Sequence, residues 1–250
     1  MNANNTDPSK PGMIPGTPEL ITEQDILFED NHIIAVNKRP SDIVQGDKTG
    51  DKPLSEKVKD YIAVKYNKPG DVFLGVVHRL DRPVSGVVMF ARTSKALTRL
   101  NNLIRTRDIR KTYWAVVQNP PPSPEGKLVH YLIKNEEKNM SFAYPREGPG
   151  RLKAELDYRI LGQSQNYYLL EILLHTGRHH QIRVQLKEIG CPVKGDLKYG
   201  FPRSNSDGSI HLHARSVEFI HPVRKEPLII TAPTPHDSLW NWFEENLTGN

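Results

Sequence analysis

Asp81 lies in His78-Arg-Leu-Asp-Arg-Pro83, flanked by Arg79 and Arg82. Cations on both sides favour the ionised carboxylate, which makes it a standing anion usable as nucleophile or base. Asp-Arg-Pro is equally ordinary turn chemistry, so the same residues suit a surface turn held by ion pairs. A second cluster runs His175-Thr-Gly-Arg-His-His-Gln-Ile-Arg183. Its glycine permits a sharp turn, and the helix start that follows offers unpaired N–H groups to an anion. Arg178, His179 and His180 add side-chain donors, and Arg183, about one turn further on, can reach a buried carboxylate. A well-capped surface helix with ordinary basic residues is the plainer reading. Third, Arg99, Arg105, Arg107, Arg110 and Lys111 run into Tyr113 and Trp114. Cations beside aromatic rings suit nucleic acid, although such a run also describes a solvated helix face leading into a strand.

Metal chemistry has less to work with. His179-His180 and His211-Leu-His213 are present, and alternate strand positions put His211 and His213 on one face. No HExxH, CxxC or phosphate-binding GxxxxGK[ST] occurs, and no acidic ligand set accompanies the histidines. Neither a bound metal nor a catalytic role for Cys191 is expected.

These residues need elements to position them. Asp25 to Asn37 reads as two short strands joined at Asp30-Asn31. Ser55 to Tyr66 has helical apolar spacing and ends at Pro69-Gly70. Phe73–Val77 and Gly86–Ala91 read as strands on either side of the Asp81 segment. Ser94 is placed to cap a helix to about Arg105, with Leu97, Leu100 and Ile104 on one face. Thr112–Val117 and Tyr167–Leu174 are strands, and His179–Glu188 is a helix stopped by Gly190 and Pro192. Later strands are expected at Ile210–Ala214 and Leu228–Thr231. Many strands with few helices predict an α+β fold around a mostly antiparallel sheet.

The chain has 250 residues, with 37% hydrophobic and 25% charged, which fits neither a membrane protein nor a disordered chain. Residues 1–24, interrupted by Pro8, Pro11, Pro15 and Pro18, are expected to be a flexible tail before a single domain over 25–250. One cysteine forbids an internal disulfide, and no signal peptide is visible, so a cytoplasmic location is expected. The formal charge of +5 favours a polyanionic partner.

Taken in order, the segments resemble the RluA family of RNA pseudouridine synthases. His78-Arg-Leu-Asp-Arg-Pro-Val-Ser-Gly86 is similar to the family's HRLDxxTSG signature. Arg110-Lys-Thr-Tyr-Trp-Ala-Val116 resembles its KxYxA strand, and Thr176-Gly-Arg-His-His-Gln-Ile-Arg183 its TGRxHQIR. Gly195-Asp-Leu-Lys-Tyr-Gly200, Leu212-His-Ala214 and His221-Pro222 resemble weaker later motifs. Two departures stand out: Val84 replaces the usual Thr, and Lys38-Arg-Pro-Ser-Asp42 alters the usual Lys-Pro-x-Gly.

The resemblance implies a mixed, largely antiparallel sheet flanked by helices around a central active-site cleft. Some relatives add an N-terminal RNA-binding domain, for which the roughly 24 polar residues before the first strand are expected to be too few. It implies isomerisation of uridine to pseudouridine in structured ribosomal or transfer RNA, without metal or cofactor; a monomer is the default expectation. Asp81 matches the essential aspartate, Arg183 its basic partner and Tyr113 the aromatic that stacks on the target base. Arg79 then helps fill the place of the flipped base, and Arg82, Lys111, Arg178 and His179 contact the RNA.

Overall fold

The computed structural model describes residues 20–247. A 3-10 turn at Glu23–Asp25 leads into β1 (Ile26–Glu29) and β2 (Ile33–Lys38), then α1 (Leu54–Lys65), β3 (Gly75–Val76), β4 (Ser85–Ala91) and α2 (Ser94–Thr106). Next come β5 (Arg110–Val117), β6 (Glu125–Asn135), β7 (Met140–Tyr144), β8 (Leu152–Gln163), β9 (Tyr168–Leu174) and α3 (Gln181–Glu188). A 3-10 turn at Leu197–Tyr199, β10 (Leu212–Ile220), β11 (Pro227–Thr231) and α4 (Ser238–Leu247) complete it. The expected flexible tail falls largely on residues 1–19, outside the described residues.

All strands join one sheet in the order β1-β2-β4-β10-β5-β9-β8-β6-β7, with β3 on β4 and β11 on β10. Among the described residues only β4 and β10 pair in parallel, through His213 with Ser85 and Ala214 with Gly86. Gly86 has φ +112, and a Cβ there would collide with the backbone of Ala214. The glycine of the 78–86 segment is therefore what lets the two central strands meet.

Alternation along the strands decides which helix covers which face. Ile34, Val36, Val88 and Phe90 pack with Leu54, Val58 and Ile62 of α1. Their neighbours Ile33, Ala35, Val87 and Met89 pack with Ala96 and Leu100 of α2 on the other side. Likewise Tyr113, Ala115 and Val117 pack with Ile182 and Leu186 of α3, and Val116 with Trp240 and Phe243 of α4. β4 is buried along its whole length.

Several boundaries differ from the sequence expectation. Thr93, not Ser94, caps α2, accepting from the N–H of Ala96 at 3.1 Å. The 73–77 strand shrinks to Gly75–Val76, and α3 begins at Gln181 because His180 is left-handed at φ +52. The strand expected at Ile210–Ala214 starts two residues later and runs to Ile220. β6, β7, β8 and α4 were not expected at all.

Candidate active site

The Asp81 loop joins β3 to β4 and is fixed by its backbone. The N–H of Val84 donates to the carbonyl of Asp81 at 3.0 Å, closing a turn at Arg82-Pro83. Lys38, at the end of β2 and 1% exposed, donates from Nζ to the carbonyls of Arg39 (3.0 Å), Arg82 (3.0 Å) and Val84 (2.6 Å). Burial pushes its ammonium pKa down to about 7, opposed by the charges of Asp42 and Asp81. Ser41 also donates its N–H to the Arg82 carbonyl at 2.9 Å. It does so with φ +77, in the altered 38–42 segment. Val84 is 2% exposed and belongs to the core beside Tyr113, so an apolar residue suits the position of the missing Thr.

Asp81 Oδ2 lies 2.9 Å from Nη1 of Arg183 and 3.5 Å from Nε2 of His180. No described residue donates to Oδ1. The guanidinium is itself held from behind: Nε meets Asp196 Oδ2 at 2.7 Å and Nη2 meets Oδ1 at 2.8 Å. The side chains of Arg183 and Asp196 are 5% and 1% exposed against 29% for Asp81, so only Asp81 is reachable by a ligand. Burial disfavours the guanidinium charge, but Asp196 and Asp81 outweigh it and raise the Arg183 pKa further. The arginine is a permanent cation aimed at one oxygen of Asp81.

Tyr113 stands on the α3 face of β5, 8% exposed. Burial and the negative charge of Asp81 push its phenol pKa above the ordinary range, so it stays protonated. Lys111 shares its face of the strand two residues earlier. Its amine would lie 3.6 Å from a Cβ at Gly177, and burial lowers its pKa. No described acid pairs with it.

His180 connects the site to the β6–β7 hairpin. The Ser141 N–H on β7 donates to Tyr199 Oη at 2.8 Å, and that hydroxyl donates to His180 Nδ1 at 2.9 Å. The imidazole Nε2–H then faces Asp81. Burial depresses the His180 pKa to about 3, against the pull of Asp81, which keeps the ring neutral, and an ionised Asp81, which can only accept, favours the proton on Nε2. His179 stacks on it at 3.8 Å between ring centroids and bonds to Ser141 Oγ at 2.9 Å through Nδ1. Gln181 Oε1 accepts from Thr176 Oγ1 (2.8 Å) and from the N–H of Arg178 (3.0 Å), locking the turn into α3.

The structure thus brings together Asp81, Arg183, Tyr113 and His179, with Lys111 on the Tyr113 strand near His78 and Gly177. Arg79 is exposed and meets no described acid. Arg82 is turned to Asp51 (2.7 Å) and Thr49 (2.8 Å), and Arg178 gives Nε to the carbonyl of Lys153 at 3.1 Å. Sequence reasoning missed four contributors: Asp196, Tyr199 and Lys38, and the role of His180. Asp196 and Tyr199 sit inside the Gly195–Gly200 motif, but nothing in the sequence names their partners. Among the described residues no cluster of three or more His, Cys, Asp or Glu side chains is placed to hold a metal.

The site is an open mixed sheet that presents one reachable carboxylate, Asp81, on a buried guanidinium. A family model described as RNA pseudouridylate synthase matches residues 32–188. Ribosomal large subunit pseudouridine synthase D of Xylella fastidiosa is 34% identical over 238 residues, covering 85% of this chain and 66% of that protein. Ribosomal large subunit pseudouridine synthase C of Buchnera aphidicola is 32% identical, covering 85% and 68%. The chain therefore spans about two thirds of the length of these relatives. Among solved structures, human RNA pseudouridylate synthase domain containing 4 aligns with a TM-score of 0.73 over 90% of this chain and 93% of that one, at 22% identity, a likeness of fold. The chain belongs to the RNA pseudouridylate synthase family and is of RluA type.

Proposed function

We propose that this chain isomerises uridine to pseudouridine in structured ribosomal or transfer RNA, acting as a monomer in the cytoplasm, with residues 25–250 as one catalytic domain. The observation that carries this reading is Asp81, the one reachable member of a carboxylate–guanidinium–carboxylate row whose other members are sealed. The reaction breaks the N1–C1′ bond of uridine and joins C1′ to C5. The C5 proton leaves and N1 gains one, so atoms balance without cofactor or metal. With Oδ2 committed to Arg183, the unpartnered Oδ1 is the oxygen that adds to C1′ or takes the C2′ proton. Tyr113, protonated and apolar-walled, stacks on the extruded uracil and holds it while it turns. Burial on the α3 side keeps water from capturing the sugar before the base returns.

Base-paired uridine is out of reach, so the nucleotide flips into the site and Arg79 fills the gap it leaves. Arg79 and Lys111, without acidic partners among the described residues, contact the RNA together with the free edge of His179. Arg82 and Arg178 contribute only those N–H groups not already held by Asp51, Thr49 and the Lys153 carbonyl.

Asp81→Asn tests the reading directly. Turnover of uridine, read by chemical labelling of pseudouridine, is expected to fall by at least about a thousand-fold, as for loss of a group acting in the bond-breaking step. RNA affinity stays within several-fold, because phosphate contacts dominate binding. Full activity in Asp81→Asn would remove the aspartate from the reaction.

A further inference from the structure

Residues 94–111 hold six cations (Lys95, Arg99, Arg105, Arg107, Arg110, Lys111) against one acid, Asp108. Their formal charge of +5 equals that of the whole chain, so every other residue together balances to zero. The structure spreads this charge along one path. α2 turns Ala96 and Leu100 inward, with Leu97, Leu103 and Ile104 half-buried around them. On the opposite stripe, at spacings of four and three, stand Lys95, Arg99, Asn102 and Arg105, all exposed. Arg107 and Arg110 continue it in the open, and Lys111 carries it to Tyr113.

The helix is arranged against its own electrostatic stability. It holds no acidic residue, and Lys95 lies in the first turn, where the helix dipole disfavours a cation. Lys95, Arg99 and Arg107 meet no carboxylate among the described residues. Arg105 bonds only to Asn102, at 2.6 Å, and Arg110 has a loose contact with Glu218 at 3.5 Å. The lysines of α1 are the contrast: Lys57 pairs with Asp42 at 2.8 Å, Lys59 with Glu56 at 2.9 Å and Lys65 with Glu29 at 2.9 Å. Unpaired guanidinium and ammonium groups lined up beside Thr98, Asn101 and Asn102 match a sugar–phosphate chain, which takes charge and hydrogen bonds together. A lipid surface would need apolar side chains on the same stripe, and it has none.

We propose that the exposed face of α2, continued through Arg107 and Arg110, docks the phosphodiester backbone of the substrate RNA outside the nucleotide being modified. The proposal rests on the RNA-modifying reading above. It makes α2 the surface that sets affinity, while the Asp81 site carries the chemistry.

The test is Lys95→Gln/Arg99→Gln/Arg105→Gln, measured by fluorescence anisotropy with a labelled stem-loop RNA across a salt series, alongside pseudouridine formation. Each lost phosphate contact lowers the log–log salt slope by about 0.9, so the triple variant is expected to lose roughly two to three in slope and about ten-fold or more in affinity. The loss in catalysis falls on KM rather than on kcat. Arg99→Gln alone is expected to lose about one in slope, which keeps the test alive if the triple variant folds poorly. Lys59→Gln/Lys187→Gln, neutralising ion-paired lysines elsewhere, leaves both readouts unchanged. Wild-type slope and affinity in the triple variant overturn the proposal, even with pseudouridine still formed. The same holds if only binding to phosphatidylglycerol vesicles is lost. RNA binding that depends on α2 in a wild-type protein that makes no pseudouridine would instead uphold the docking face and sink the proposed reaction.

Discussion

Arg183 gives two of its nitrogens to Asp196, at 2.7 and 2.8 Å, before it meets Asp81. The buried carboxylate is therefore what aims the guanidinium, and only Nη1 is left for Asp81, at 2.9 Å. A bidentate fork resists rotation in a way a single ion pair does not. Asp196→Asn keeps the volume but removes the charge that offsets burial of Arg183. Breaking one side of a buried pair costs about 3–5 kcal/mol, so urea unfolding should show a loss of that order. Turnover should fall by roughly ten- to a hundred-fold as Arg183 loses its aim, an effect of 1.4 kcal/mol per decade. Wild-type stability together with wild-type kcat would show that the fork neither holds nor aims the arginine.

The chain from Ser141 through Tyr199 to His180 makes the β6–β7 hairpin a support of Asp81. Tyr199→Phe deletes one hydroxyl and orphans two buried groups, the Ser141 N–H and His180 Nδ1. Leaving such groups unpaired costs about 1–3 kcal/mol each. The expected result is a stability loss of about 2–4 kcal/mol and a kcat reduced by roughly ten-fold, with RNA affinity unchanged. Single-turnover kinetics beside an RNA titration separates the two. A change confined to affinity would place Tyr199 in RNA binding instead.

The parts of this molecule legible in the sequence are those where chemistry restricts residue type. Type and spacing left Asp81 between two arginines and Arg183 one turn into a helix open to chemistry beside a plain structural reading, and the task of Tyr113 came only from the resemblance to the RluA family. Asp196 could not be singled out, because a buried carboxylate and an exposed one look alike until the 102-residue span from Asp81 to Arg183 is closed by folding. β6 was unreadable for a different reason. It mixes its faces, with His130 and Lys134 on the side of buried Leu128 and Leu132 and with Val129 and Ile133 beside Lys127 on the other, so no clean alternation marks it. β8 does alternate Ala154, Leu156 and Tyr158 with Lys153, Glu155 and Asp157, a strand signal that sequence reasoning missed. α4 did carry a signal, with Trp240, Phe243 and Leu247 at helical spacing, over only ten residues. His180 was in plain view, but its left-handed backbone, which ends the turn and points the ring at Asp81, has no signature in residue type.

Ser41 occupies a left-handed position, φ +77, in the altered 38–42 segment, and its N–H still holds the Arg82 carbonyl. A side chain costs about 1–2 kcal/mol in this region, and glycine does not bear that cost. Ser41→Gly should therefore stabilise the fold by roughly 1 kcal/mol, less a fraction lost to the looser unfolded chain, raising Tm by about 2–4 °C. Differential scanning calorimetry reads it. A lowered Tm would mean that the Ser41 side chain contributes more than its backbone strain costs.

Acid should act on this fold before its carboxylates titrate. Burial sets the pKa of His180 to about 3 and that of His213 to about 4. His213 is sealed with Nδ1 accepting from Ser85 at 2.8 Å and Nε2–H donating to the Ala232 carbonyl at 3.2 Å. In the unfolded chain both rings return to about 6.5. Between the folded and unfolded values the unfolded state binds protons that the folded state refuses, so stability rises with pH there and falls on acidification. Each histidine contributes a slope approaching 1.4 kcal/mol per pH unit below about pH 6. Urea unfolding free energies should already decline from about pH 8 to 7, because burial holds Lys38 at about 7 in the fold. With His78 also buried and held at about 4, they should then drop by up to about 4 kcal/mol per unit near pH 5. His213→Gln, which removes one titrating ring, should shed about one proton's worth of that slope even if it lowers stability at every pH. A profile that stays flat or climbs as pH falls from 6.5 to 5 would mean these rings are charged in the fold. His180 would then meet Asp81 as a cation competing with Arg183.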